Sequence, residues 1–150
     1  MIKKLVTFTV TFFLLLLVLI FYNYQKAQTN LRQTRQTRFS IEFLDAPGEL
    51  TANQPGVFAW KVDAPNSYSA KSTGIYWNYE SSPSALTKID SPQAVMYPNY
   101  TEDFASGLFQ LPDTFDLNLK FPKAGTVYIR AYALVDRDYL WTEERSLTVK

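Results

Sequence analysis

Carboxylates are the main acid-base candidates this chain can bring to a reaction, because it contains no histidine and no cysteine. That absence removes thiol nucleophiles, histidine-based triads and disulfides. Zinc, haem and blue-copper centres lose their usual ligands, which leaves oxygen-ligand ions such as calcium. The close acid pairs are Glu102-Asp103, Asp136 with Asp138, and Glu143-Glu144. Adjacent residues of a strand point to opposite faces, so Glu143 and Glu144 cannot jointly hold one substrate. Asp136 and Asp138 flank a tight turn and serve its geometry. No Asp-x-Asp-x-Asp-Gly calcium loop occurs. No catalytic residue, metal or cofactor is therefore expected, and the chain reads as a protein that is not an enzyme.

A second constellation suits binding. In GIYWNYE, Tyr76, Asn78 and Glu80 alternate with Ile75, Trp77 and Tyr79. In GTVYIRAYALV, Tyr128, Arg130, Tyr132 and Leu134 alternate with Val127, Ile129, Ala131, Ala133 and Val135. If these strands pair, Tyr76, Asn78, Glu80, Tyr128, Arg130 and Tyr132 form one patch of tyrosines with an Arg and a Glu, a composition suited to another protein or a surface glycan. The competing reading is ordinary cross-strand pairing on a solvated sheet. Asn99-Tyr100-Thr101 is a possible glycosylation sequon at Asn99.

The elements that must position these groups begin after Arg38, where the pattern becomes short β runs broken by Pro, Gly, Asn, Asp and Ser. Strands are expected at 39–44, 57–62, 75–79, 114–121, 126–135 and 139–149. In GVFAWKVD, Phe58, Trp60 and Val62 share a face, so each run has one buried and one decorated side. The segment FPKAGTVYIRAYA resembles the penultimate strand and preceding corner of immunoglobulin-like domains, especially the fibronectin type III type. Trp77 is similar to the core tryptophan of many such domains. The resemblance implies a mainly β fold, an immunoglobulin-like antiparallel β-sandwich, and leaves function open. The irregular stretch 81–112 is too long for a hairpin loop and too apolar for disorder, so it is expected to pack at the sandwich edge with a short helix and strand, or to bind a ligand.

Ahead of this domain, residues 5–21 (LVTFTVTFFLLLLVLIF) carry no charge, Gly or Pro. With Tyr22 they would rise about 27 Å as a helix, near the ~30 Å hydrocarbon core of a bilayer. The following YNYQKAQTN lacks a small-x-small cleavage pair, so one long N-terminal transmembrane helix is expected as an uncleaved signal-anchor. Residues 23–38 hold no helix breaker and read as a basic polar stalk. Residues 1–38 hold six bases and no acid, whereas 39–150 hold nine bases and fourteen acids. Lys3, Lys4, Lys26, Arg32, Arg35 and Arg38 would lie over lipid headgroups, and the acidic domain argues against nucleic acid as a partner.

The expected organisation is thus 1–22 anchor, 23–38 stalk and 39–150 sandwich. The positive-inside count would keep the domain in the cytoplasm, but the short Lys-Lys head is the signal-anchor layout and places it outside. The expected function is a membrane-anchored, non-enzymatic binding or accessory module at a cell surface, with homo-oligomers possible. A pilus-like filament or envelope subunit is the first alternative. The layout resembles archaeal pilins, although their leader ending in a small residue is missing. A non-catalytic subunit of a membrane complex is the second: a helix followed by a β domain is similar to cytochrome oxidase subunit II, and the absent His and Cys exclude a copper-bearing version.

Overall fold

A computed structural model describes residues 14–26, 39–95 and 97–150. The chain divides into two compact units, Met1–Thr37 and Arg38–Lys150. In the first, residues 14–26 are helical. Among the described residues no helix is long and apolar enough to cross a membrane. The expected transmembrane helix is thus not borne out among the described residues, and the signal-anchor, the single-pass membrane location and the placement of the domain outside the cytoplasm, which were built on it, are left without that support. Residues 5–13 of the apolar run, most of the stalk, and Lys3, Lys4, Arg32, Arg35 and Arg38 lie outside the described residues.

The second unit is built from strands because its alternating runs can each bury one face. A small antiparallel sheet has the order β1 (Ser40–Asp45), β3 (Gly56–Asp63), β7 (Asp113–Leu119). The larger sheet runs β2 (Glu49–Leu50), β10 (Arg145–Val149), β8 (Gly125–Val135), β4 (Ser69–Asn78), β5 (Asn99–Tyr100). In addition, β6 (Phe109–Gln110) pairs with β4 and β9 (Asp138–Trp141) pairs with β8. All pairs are antiparallel except β2 with β10.

Between the sheets lie the residues whose spacing marked them as inward. Phe58, Trp60 and Val62 of β3 and Phe115, Leu117 and Leu119 of β7 are buried with Ile75 of β4 and Val127, Ile129 and Ala131 of β8. Rings fill the layer in edge-on and stacked pairs: Trp60 stacks on Phe115 at 5.8 Å, and Phe121 meets Phe58 and Trp77 edge-on at 6.1 and 5.1 Å. One polar link crosses the core. The Trp60 indole donates to the Thr73 hydroxyl at 2.8 Å, and that hydroxyl donates to the Tyr132 carbonyl at 2.6 Å.

Two strands depart from the sequence reading. β4 begins six residues before 75, because the register slips between Ala70 and Ser72. Ala70 and Thr73 are both buried across that irregularity, which erases the period-two signal. The expected single strand 139–149 is two, since β9 pairs with Tyr132 to Val135 and β10 with Gly125 to Ile129. At the break, Thr142 occupies Ala131: its amide donates to the Ala131 carbonyl at 3.0 Å and its hydroxyl accepts the Ala131 amide at 2.9 Å.

The buried Trp60 to Thr73 link gives a direct test. Thr73→Val keeps the shape but leaves the indole N–H without an acceptor, a loss of about 1–3 kcal/mol. Urea unfolding of the full-length chain should show that loss with an unchanged slope. Adding Trp60→Phe should recover part of it.

Candidate functional site

β4 and β8 do pair, and their register sets Gly74 opposite Tyr132, Tyr76 opposite Arg130 and Asn78 opposite Tyr128. Five of the six residues read as one patch (Tyr76, Asn78, Tyr128, Arg130 and Tyr132) therefore share the outer side of the larger sheet, and Glu80 is exposed just beyond the end of β4. That side is not open along its length. Segment 81–98 lies over part of it, so Arg130 is 1% exposed and Tyr132 6%.

Arg130 is fully engaged. Its Nη2 donates to the carbonyls of Ser82 and Ser84 at 2.8 and 2.9 Å, its Nη1 to the Thr142 carbonyl at 2.9 Å, and its Nε to the Tyr97 hydroxyl at 3.1 Å. Tyr97 donates in turn to Glu144, which also accepts from the Ser81 hydroxyl at 2.6 Å and the Ser82 amide at 2.8 Å. The break between β9 and β10 is what frees Glu144 to turn toward this segment. Burial works to raise the Glu144 carboxyl, but the bonds from Ser81, Tyr97 and Ser82 together with the Arg130 charge outweigh it and hold the group below the ordinary range. Burial, helped by the bond to Glu144, pushes Tyr97 up to about 12.

Beside this network a cleft of about 500 Å3 opens between the sheet and residues 92–105. Tyr76, Tyr132 and Gly74 supply the sheet side; Tyr97, Tyr100 and Thr101 supply the other. Gly74 is required here, because a Cβ would stand 2.8 Å from the Thr101 hydroxyl. That hydroxyl accepts the Ile75 amide at 3.3 Å, and the Thr101 amide donates to the Ile75 carbonyl at 3.2 Å, which seats the wall on β4. Tyr76 stacks on Tyr100 at 5.5 Å and meets Tyr132 and Trp141 edge-on at 5.5 and 5.3 Å. Burial, then the neighbouring Tyr132 and Tyr100, push the Tyr76 phenol up to about 12, and burial also raises Tyr132. The phenols of Tyr76 and Tyr132 are therefore neutral hydroxyl carriers at any ordinary pH.

The remaining candidates are scattered. Asn78 accepts the Tyr79 amide at 2.8 Å, and Tyr128 is half-buried near that end of the sheet. Asn99 lies in β5 and its side-chain amide donates to the Trp77 carbonyl at 3.3 Å. Lys26 is exposed in the helical segment. Of the acids, Glu102, Asp103 and Glu143 are exposed, Asp138 pairs with Lys88 at 3.6 Å, and Asp136 adopts φ 57° in the β8 to β9 turn. Among the described residues no group of three or more carboxylates gathers as metal ligands. Sequence reasoning did not place Tyr97, Tyr100, Thr101 or Gln93 in a site. Their one sequence signal is the density of tyrosine and proline in 92–101, which marks a packed segment without saying what it packs on.

No family model and no curated protein matches the chain. Among the solved structures resembling it are two of superoxide reductase (neelaredoxin) from Ignicoccus hospitalis, one of them a variant. The variant is 18% identical, with 74% of this chain and 80% of that chain covered and a TM-score of 0.44. The other is 16% identical at the same coverage, with a TM-score of 0.43. These neighbours are enzymes and not immunoglobulin or fibronectin type III domains. The expected immunoglobulin-like kinship therefore finds no match, and the expected non-enzymatic role at a cell surface, with its filament and membrane-complex alternatives, is not kept. A likeness this distant puts no particular activity in their place.

The Gly74 to Thr101 contact is testable. Gly74→Ala should destabilise the full-length chain by about 1–3 kcal/mol through overpacking. In a Thr101→Ala background the same change should cost less than half as much, read as a double-mutant cycle from thermal or urea unfolding.

Proposed function

We propose that the cleft binds a neutral, polyhydroxylated ligand, with a saccharide ring as its best match. One observation carries the reading: the cleft is lined by four tyrosines with Ser72, Thr73, Thr101 and Gln93, and by no charged side chain. Phosphate or carboxylate ligands call for a cation, and Arg130, the nearest candidate, is bonded to three carbonyls and Tyr97. A sugar presents C–H faces that lie on aromatic rings and hydroxyls that exchange bonds with phenols and amides. Tyr100 is 54% exposed, so its ring is available to such a face. Among the described residues no protein group bonds the hydroxyls of Tyr76 and Tyr100.

Superoxide reduction, the activity in the neighbours' names, calls for a redox-active centre. With no histidine or cysteine in the chain and no three possible ligands grouped among the described residues, the donor set for such a metal does not fit. That activity is not carried over.

Titration of the full-length chain with maltotetraose, cellotetraose and chitotetraose, followed by tryptophan fluorescence and calorimetry, tests the proposal. At least one should bind. Tyr100→Ala should weaken it about tenfold, the size of one lost ring contact, with little change in melting temperature, whereas Tyr100→Phe should bind nearly as the parent does. Failure of all three sugars, or a Tyr100→Ala variant that binds like the parent, rejects the reading.

A further inference from the structure

The same cleft has a wall seated in part by one ionised carboxylate. Segment 81–98 is fastened to the sheet through the Glu144 cluster, where a single side chain accepts from Ser81, Ser82 and Tyr97. Tyr97 belongs to both structures: its hydroxyl sits between Glu144 and Arg130, and it lines the cleft. We propose that Glu144 and Arg130 are positioning residues for the cleft, and that acid, by protonating Glu144, unseats the Tyr97 wall and releases the ligand. This rests on the saccharide reading for the ligand, but not for the movement of the wall.

The chemistry of the cluster explains the direction. An ionised carboxylate is acceptor-only and can take all three donors. Once protonated it carries a hydrogen that one of those three donors must give way to. Arg130 faces the cluster from β8 with a fixed positive charge, and it loses its partner across Tyr97 at the same moment. Among the described residues, Ser81, Ser82, Tyr97 and Arg130 are the groups acting on Glu144. A carboxyl held below its ordinary range stabilises the fold fully above that range, and the contribution disappears as pH falls through the lowered value. The Tyr97 wall is therefore seated at neutral pH and loosens only in acid.

Two other acids belong to the same segment's attachments. Asp90 caps Thr87 and is held low by the Thr87 amide and hydroxyl, and Asp138 pairs with Lys88. The variant Glu144→Gln separates them from Glu144, since it fixes position 144 in a neutral state and leaves both untouched.

The experiment is amide hydrogen exchange on the full-length chain from about pH 7 to about pH 3, corrected for intrinsic rates, with sugar titrations at the same pH values. Protection of residues 81–98 in the parent should fall about tenfold or more in acid while β3 and β8 stay protected. Glu144→Gln should show that lower protection already at neutral pH and no further step, and it should bind sugar about tenfold more weakly. Arg130→Lys, which keeps the charge but not the fork of donors, should loosen the segment at neutral pH and retain the acid step. Loss of protection throughout the domain in acid, or a Glu144→Gln variant that behaves as the parent, overturns the proposal. If no sugar binds at any pH, the saccharide reading fails while the exchange data still decide the seat of the wall.

Discussion

A guanidinium in the middle of a sheet, with 1% of its surface exposed, constrains everything around it. Charge removed from water costs several kcal/mol unless its donors are matched. Strand neighbours cannot match them, because their carbonyls are bonded within the sheet. Arg130 instead takes carbonyls that lie outside regular pairing: Thr142 at the gap between β9 and β10, and Ser82 and Ser84 just after β4. The interrupted C-terminal strand and the path of the chain after β4 are two consequences of this one requirement. A continuous strand 139–149 would have its carbonyls in the ladder and none for Arg130.

Once the segment after β4 is drawn over the sheet, its other attachments follow at intervals. The Tyr139 amide donates to the Lys88 carbonyl, and the Trp141 indole donates to the Asp90 carbonyl at 2.9 Å. Further on, β5 returns to the edge of β4, bringing Tyr100 onto Tyr76. The Lys88 to Asp138 pair, partly exposed and 3.6 Å long, adds little, since such pairs contribute about 0–1 kcal/mol. Gly74 matters more, because any side chain there would lift Thr101 from the strand. The cleft is the space left where a segment held at both ends bridges the sheet.

This origin explains which parts were legible in the sequence. Inner faces were, because burial between two sheets imposes strict alternation, and Phe58, Trp60, Val62, Val127, Ile129 and Ala131 obey it. The pairing of the two tyrosine-bearing strands was legible as well, since their outer residues were aligned by composition alone. What covered them was not. Alternation names a side of a strand, yet nothing local distinguishes a side facing water from one facing another segment. Arg130 thus read as a surface charge and is among the most buried side chains. The start of β4 was hidden by its register slip, and Glu143-Glu144 read as strand neighbours because the gap beside Thr142 has no Pro or Gly to mark it. At the other end of the chain, the apolar composition of residues 5–21 implied a spanning helix, and among the described residues no helix is long and apolar enough to cross a membrane.

Charge and neutrality lie side by side here for a physical reason. The buried cation and Glu144 are bonded to backbone groups and to the Tyr97 hydroxyl, which takes a hydrogen bond from one and gives one to the other. Tyr97 therefore screens a charged cluster from a cleft whose own lining is uncharged. Replacing that phenol by a phenylalanine would keep the ring in the cleft wall and break both bonds behind it. The ring's place in the wall and its anchorage are separable properties of one residue. It follows that the uncharged wall of the cleft is held in place by charges that lie outside its lining.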